Sequence, residues 1–345
     1  MSQDPFVMVR PQTPEQVRRG LACLVGGPVP GDPELAARHA ARVREAIARF
    51  VNYAREIGLR TDRQVQAVRP PVSDQAAVLG VCLWVPATGR TAMLFAPPMT
   101  EHPTAAGPTV FCIRAALQDV AADTEFGGIN LVQAVLDPQD EIGHAMFEQA
   151  GLHVLTTLEY MERRAPLLPP TGPAAITQAL PAGVRLEIYR PENHALFAAA
   201  IQASYQQTLD CPALSGLRDI EDVIAGHKAV GTFDPALWFL MLEKDQPVGC
   251  LLLARIPSRQ AMDLVYLGLA PAARGRGLSR ALMQMLMYQT RQQGCTICSL
   301  SVDEINVPAR KLYQRFGFSV VARRRTMICQ LPVAASGADG SPGKK

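Results

Sequence analysis

Arg274, Gly275, Arg276 and Gly277 stand between a short apolar run and a stretch of amphipathic helical spacing, an order that makes an anion site. Glycines let the backbone come close to a phosphate. The first N–H groups of the helix that follows have no partners of their own, and they point outward with the positive end of the helix dipole. The two arginines add charge-assisted hydrogen bonds. The helix itself carries Leu282, Met285 and Leu286 on an apolar face and Gln284, Gln289 and Arg291 on a polar one.

Spacing selects among phosphate binders. Gly275 and Gly277 are followed by Leu278 and Ser279, so the loop has neither the G-x-G-x-x-G of a dinucleotide fold nor a G-K-[ST] end. What stands there is R-x-x-G-x-small, from Arg274 to Ser279. A second pattern follows it. The alternating residues 297–302 read as a strand, Asn306 starts a helix that tolerates Pro308 in its first turn, and Gly317 ends that helix. Together the loop and the run N-x-x-A-x-x-L-Y-x-x-x-G-F, Asn306 to Phe318, resemble two signature blocks of the GNAT superfamily of acetyl-CoA-dependent N-acetyltransferases. Ser279 is a departure, since that family usually has Gly or Ala there. In layout, and in the segments Y-L-G-L-A-P and V-D-x-x-N, the chain is similar to the mycothiol synthases, a tandem branch of the superfamily. That likeness lies in family-wide motifs and does not specify the acceptor.

The resemblance implies acetyl-CoA as cosubstrate and no metal. The cofactor contacts it implies are the backbone of Leu267, Gly268 and Leu269, the loop Arg274, Gly275, Arg276, Gly277, Leu278 and Ser279, and Asn306 on the pantetheine arm. It also implies that Tyr313 protonates the departing thiolate. Acyl transfer needs a neutral amine, a polarised thioester carbonyl and a protonated leaving group. A backbone N–H within 267–269 serves the carbonyl in this family, and Gly268 permits close ligand approach. The base is less evident. Where many family members carry a Glu, this chain has Val265, Tyr266 and Gly268, so Asp263 is the nearest carboxylate and the candidate base. Asp210, Asp303 and Glu304 are further carboxylates within reach, and a base acting through water needs none of them. The expected partner is a small-molecule or peptide amine. A non-catalytic acyl-CoA sensor or interaction scaffold is the competing reading, favoured by the missing strand carboxylate and opposed by Tyr313.

Composition narrows the partners. The chain has 345 residues with 34 basic and 31 acidic side chains, a net charge of +3, which gives no strong field for nucleic acid. Its 48% apolar content suffices for two cores. No apolar run approaches the ~20 residues that span a bilayer, and the start MSQDPFVMVR does not read as a secretory leader. The expectation is a cytoplasmic protein with no membrane partner, its oligomeric state left open. Of the eight cysteines, Cys82, Cys112, Cys250 and Cys329 sit in apolar runs and read as small buried hydrophobes. Cys295 and Cys298 form a C-x-x-C, but it enters a strand and has no second pair or nearby His, which argues against zinc or redox chemistry.

The elements that must hold these residues follow the same family order. Residues 163–183, rich in proline, read as a linker. Beyond it come a strand at 184–189, helices at 192–205 and 219–230, strands at 238–242, 248–255 and 263–269, the phosphate loop and helix, and the second block. Before the linker the order recurs: strand 6–10, helix 14–24, strands 77–85 and 91–96, helix 109–122, strand 131–136, then D-E-I-G-H-A-M-F-E-Q-A-G-L over 140–152. Placing Gly151 on Gly317 puts Phe147 on Tyr313 and Asp140 on Asn306. The sequence therefore predicts an α/β tandem GNAT fold on a mixed sheet. It comprises a degenerate copy at 1–162 without cofactor loop or acid hydroxyl, the linker, a catalytic copy at 184–331 and a disordered tail at 332–345.

Overall fold

The computed structural model describes residues 6–27, 60–99, 103–165 and 172–332, with scattered positions between 34 and 51. The described residues form an α/β fold on mixed sheet, in two compact units: Met1–Val154 with Thr326–Lys345, and Leu155–Arg325. The tail expected to be disordered lies, from residue 333 on, outside the described residues, as does the middle of the linker, 166–171.

In the first unit the order is β1 (Val7–Val9), α1 (Pro14–Gly26), β2 (Gln64–Val68), β3 (Val78–Ala87), β4 (Thr91–Phe95), α2 (Ala106–Ala122), β5 (Leu131–Leu136), α3 (Glu141–Ala150) and the start of β6 (His153–Arg164). β1 to β4 pair antiparallel in sequence order, and β4 pairs β5 in parallel through Thr91↔Leu131 to Leu94↔Ala134. The last strand beside β5 is the end of β12 (Ser319–Gln330), so Met327 lies in the same core as Val132 and Phe147. β2, buried at every residue, carries two glutamines among its five residues, which hid it from a pattern reading.

The second unit repeats the order: β7 (Val184–Ile188), α5 (His194–Ser204), α6 (Ile220–Lys228), β8 (Trp238–Glu243), β9 (Gln246–Ile256), β10 (Ala261–Leu269), α7 (Leu278–Gln292), β11 (Ile297–Asp303), α8 (Val307–Arg315) and the start of β12. β7, β8, β9 and β10 pair antiparallel, and β10 pairs β11 in parallel across the α7 crossover. β11 is then flanked by β6, antiparallel from Ile297↔Arg164 to Asp303↔Leu158. Leu282, Met283, Leu286 and Met287 of α7 pack with Met262, Leu264 and Leu300 on one face, while Phe197, Ile201 and Ile224 of α5 and α6 pack with Trp238 and Leu252 on the other. Part of the proline-rich stretch folds as well: α4 (Pro173–Gln178) starts on a proline and sets Ile176 into the α7 core.

The compact units divide inside two strands rather than at the linker. Leu155–Arg164 of β6 belongs with the second unit and Thr326–Gln330 with the first, because a strand's contacts follow its sheet neighbours and not its place in the chain. A fragment of residues 184–345 removes the strand that hydrogen-bonds all of β11 and leaves an open edge there. We expect it to melt below a fragment of residues 155–325 in circular dichroism; equal melting temperatures would show that β6 is dispensable to this unit.

Candidate active site

The phosphate-binding loop has the backbone its sequence requires. Gly275 and Gly277 sit at φ +73° and +80°, where a side chain is strained, and a Cβ at either would meet nothing within 4 Å. Gly277 caps α7 and has no side chain to take up the first N–H groups of that helix; Arg280 N donates to the Gly277 carbonyl at 3.0 Å. The two arginines do other work. Arg274 donates to four carbonyls, Leu269 (3.0 Å), Gln207 (3.0 Å), Ser204 (2.8 Å) and Gln206 (2.8 Å). It thereby ties the end of α5 to the end of β10. Arg276 forks onto the Glu243 carboxylate at 2.8 and 2.6 Å, in an exposed pair.

Next to the loop the sheet opens. β10 pairs with β11 only from Ala261↔Ile297 to Leu264↔Leu300, while on its other side it stays paired with β9 up to Leu269, with a bulge between Leu264 and Tyr266. From Val265 to Leu269 the β11-facing edge of β10 is therefore without a strand partner. The gap is a cavity of about 190 Å³, lined by Leu264 to Leu269, Arg274, Ser301, Asn306, Tyr313 and the 207–210 loop among others. Gly268 is required here by the protein's own packing: a Cβ on it would stand 2.5 Å from Ser204 Oγ and 2.6 Å from the Tyr266 ring. That close approach lets Ser204 Oγ and Tyr266 Oη bond at 2.6 Å.

Asn306 and Tyr313 both reach this cavity. Asn306 is the N-cap of α8, its side chain accepting from Ala309 N at 3.3 Å, a contribution of ~1 kcal/mol. Tyr313 is 5% exposed on the inner face of that helix, its ring 6.1 Å from Phe318, and its hydroxyl bonds no other described residue. Burial, then the nearby Asp210 charge, pushes its phenol up, so it stays protonated.

The candidate carboxylates separate. Asp263 lines neither this cavity nor its neighbour; it precedes the bulge and accepts from Ser299 Oγ at 2.5 Å, with its pKa raised by burial. Glu304 is exposed at the end of β11 and also lines neither. Asp303 is fully buried and satisfied, accepting from Thr156 Oγ1 (2.6 Å), Cys211 N (3.0 Å) and Ile305 N (3.1 Å). Asp210 lies in the cavity wall. Its Oδ1 accepts from Asp303 N at 3.2 Å, and burial, helped by the Asp303 charge, raises its pKa. Sequence reasoning had named Asp210 only among several candidates, because the loop that delivers it has no pattern of its own.

A second cavity of about 460 Å³ adjoins the first, sharing Asp210, Val265, Tyr266 and Ser301 and extending past Tyr205, Cys211, Leu214, Arg218 and His227. Tyr266 is crossed edge-on by Tyr205 at 5.9 Å and stacked by His227 at 5.3 Å. No group of three or more metal-ligating side chains occurs among the described residues, and no described helix is long and apolar enough to cross a membrane.

With this geometry in place, comparison is informative. Residues 204–318, which hold both cavities' shared wall, the loop and Tyr313, match the Acetyltransferase (GNAT) family. A mycothiol acetyltransferase of Mycolicibacterium gilvum is 31% identical over 241 residues, covering 66% of this chain and 72% of its own. The chain belongs to the GNAT family. A mycothiol acetyltransferase of Streptomyces bingchenggensis is 32% identical over 171 residues, 49% of this chain and 53% of its own. The chain thus spans about half the length of the first curated relatives it matches. The crystal structure of a GCN5-related N-acetyltransferase from Sphaerobacter thermophilus shares the fold, with TM-score 0.56 and 18% identity over 95% of this chain and 97% of that one.

The Gly268 contact is testable by itself. Gly268→Ala forces α5 away from β10 and disrupts the Ser204–Tyr266 bond, and should cost ~1–3 kcal/mol in urea unfolding. An unchanged midpoint would mean that α5 shifts freely and the glycine is there for another reason.

Proposed function

We propose that the chain transfers an acetyl group from acetyl-CoA to the primary amine of a small-molecule or peptide acceptor, within residues 184–331. The observation that carries this reading is the opened edge of β10, with Tyr313 and Asp210 in one cavity wall beside the glycine loop that opens α7. Family membership and the acetyltransferase names of the curated relatives support it.

Bound acetyl-CoA supplies the acetyl thioester. The residues 275–279 hold its pyrophosphate through backbone N–H groups, as an anion at a helix N-terminus is held. Arg274 keeps the loop in shape by its grip on the end of α5. An unpaired β10 N–H within Val265–Leu269 donates to the thioester carbonyl, and Asn306 contacts the pantetheine arm. Asp210 takes the proton of the acceptor ammonium, a task suited to a carboxylate whose pKa is raised. The amine nitrogen bonds the acetyl carbon, the carbon–sulfur bond breaks, and the thiolate takes its proton from Tyr313. The first unit has no counterpart of the glycine loop, and Phe147 has no proton to give.

Kinetics with an amine acceptor, followed by free thiol release, test these roles. Tyr313→Phe should lower kcat by ~10²–10⁴-fold with acetyl-CoA affinity nearly unchanged. Because the Asp210 pKa is raised, the acidic limb of kcat/KM should fall at a pH above the ordinary carboxylate range, and Asp210→Asn should remove that limb while Asp263→Asn keeps it. The reverse result would return the base to Asp263. Calorimetry should find one acetyl-CoA per chain, and none for Gly277→Val; binding without turnover on any amine would favour the sensor reading.

A further inference from the structure

Tyr313 stands on a helix that has little else to hold it. α8 is nine residues long, and Tyr313 is the one residue of it that is buried; Ala309, Leu312 and Phe316 pack only partly against the core. A helix this short is marginal in water and takes its place from what it is packed against. Its polar ties therefore matter more than its apolar face.

Two such ties come from one strand. Glu159 of β6 is 1% exposed and receives the Arg310 fork, from Nε at 2.7 Å and from Nη2 at 3.1 Å. Arg310 Nη1 also donates to the Glu304 carbonyl at 3.0 Å. A bidentate pair of this kind fixes angle as well as distance. Arg163, four residues along β6, donates from Nη1 to the carbonyl of Phe316, the C-cap of α8, where a cation also meets the negative end of the helix dipole. Residues four apart on a strand share a face, and pairing with β11 sets Glu159 opposite Val302 and Arg163 opposite Cys298. Arg310 precedes Tyr313 by three residues and Phe316 follows it by three, so the two grips bracket the phenol.

On the reading of the opened edge as a site of acetyl transfer, we infer that Glu159 and Arg163 are positioning residues for that transfer: from one face of β6 they clamp α8 on either side of Tyr313 and hold its hydroxyl at the cavity. Neither residue lines the cavity itself, so each acts through the helix. Orientation matters to a proton donor, since displacing a reacting group by about 1 Å can cost ~10²-fold in rate.

The test cuts the grips one at a time in the full chain, with Arg310→Gln and Arg163→Gln. Arg323→Gln is the control, because Arg323 also bonds Glu159, at 3.1 and 2.8 Å, but from β12. Each grip variant should lower kcat for thiol release by about tenfold or more, with calorimetric acetyl-CoA affinity near the parent's, and the control should keep the parent's kcat. Tyr313→Phe added to the combined Arg163→Gln/Arg310→Gln variant should cost less than about threefold more, because a misplaced phenol is already idle. 3-Fluorotyrosine at position 313 reads the ring without turnover: its fluorine resonance should shift or broaden in the grip variants and stay in the control. A parent kcat in both grip variants, a full Tyr313→Phe penalty in the combined variant, or an unmoved fluorine resonance would each overturn the assignment. Arg310→Lys, which keeps one donor for Glu159, carries the same measurements should the glutamine variants fail to fold. Failure of the acetyl-transfer reading shows separately, as no thiol release from the parent with any amine, and leaves the fluorine spectra to decide whether β6 holds the ring.

Discussion

β10 and β11 cease to pair after Leu264 and Leu300, and the cavity that holds Asn306, Tyr313 and Asp210 depends on that parting. Backbone N–H and C=O groups inside a protein must find partners, so a gap between neighbouring strands is stable only when something else satisfies the exposed edges. On the β11 side that partner is Asp210, whose carboxylate accepts from Asp303 N. On the β10 side no strand replaces the lost one, and the edge is left for a ligand. The bulge between Leu264 and Tyr266 turns the strand there while β9 still holds it from behind.

Two acids stand close together here in different surroundings. Asp303 is buried and receives three hydrogen bonds, which fix the carboxylate in place. Asp210 accepts the Asp303 N–H, and its own burial, helped by the Asp303 charge, pushes its pKa up. Their surroundings thus differ: Asp303 is held by three donors, and Asp210 stands in the cavity wall. Arg274 extends the same framework, because its bonds to Ser204, Gln206 and Gln207 fix the start of the loop that ends at Asp210. Arg274 therefore holds the loop that carries Asp210, and charge-assisted bonds of this kind are each worth ~1.5–3 kcal/mol.

How much of this could be read from sequence follows from where the information is local. Gly275, Gly277, Asn306 and Gly317 are dictated by backbone conformations that few other residues adopt or by a cap, and such demands leave a spacing signature. β3, β4, β5 and α2 were legible from apolar periodicity. β2 was not, since Gln64 and Gln66 are buried by hydrogen bonds to the α1 backbone and to each other, which no hydropathy pattern encodes. The short helix Pro173–Gln178 was hidden by the prolines around it. Asp210 lies on a loop between helices, where only the folded chain says which carboxylate meets the opened edge. The division of the units inside β6 and β12 is likewise a matter of long-range pairing.

The first unit shows what the same skeleton does without that opening chemistry. Its β4 and β5 also pair in parallel over four residues, its helix α3 also starts on a side-chain cap, and Gly151 ends that helix in the left-handed region as Gly317 follows α8. The cap differs in what it does. Asp140 accepts from Gly143 N at 3.0 Å and from Met99 N at 3.2 Å, so the chain leaving β4 is drawn back onto α3, and Met99 is fully buried there. Phe147, at the place of Tyr313, packs into the same core as Met99. A carboxylate cap that recruits a backbone N–H and an apolar ring in place of a phenol are small changes that stabilise packing. In the second unit the corresponding cap is a neutral amide, the ring keeps its hydroxyl, and Asp210 enters from a separate loop to hold the strands' ends apart. The two units thus share an order of elements and differ in the cap, the ring and the loop beside these strands.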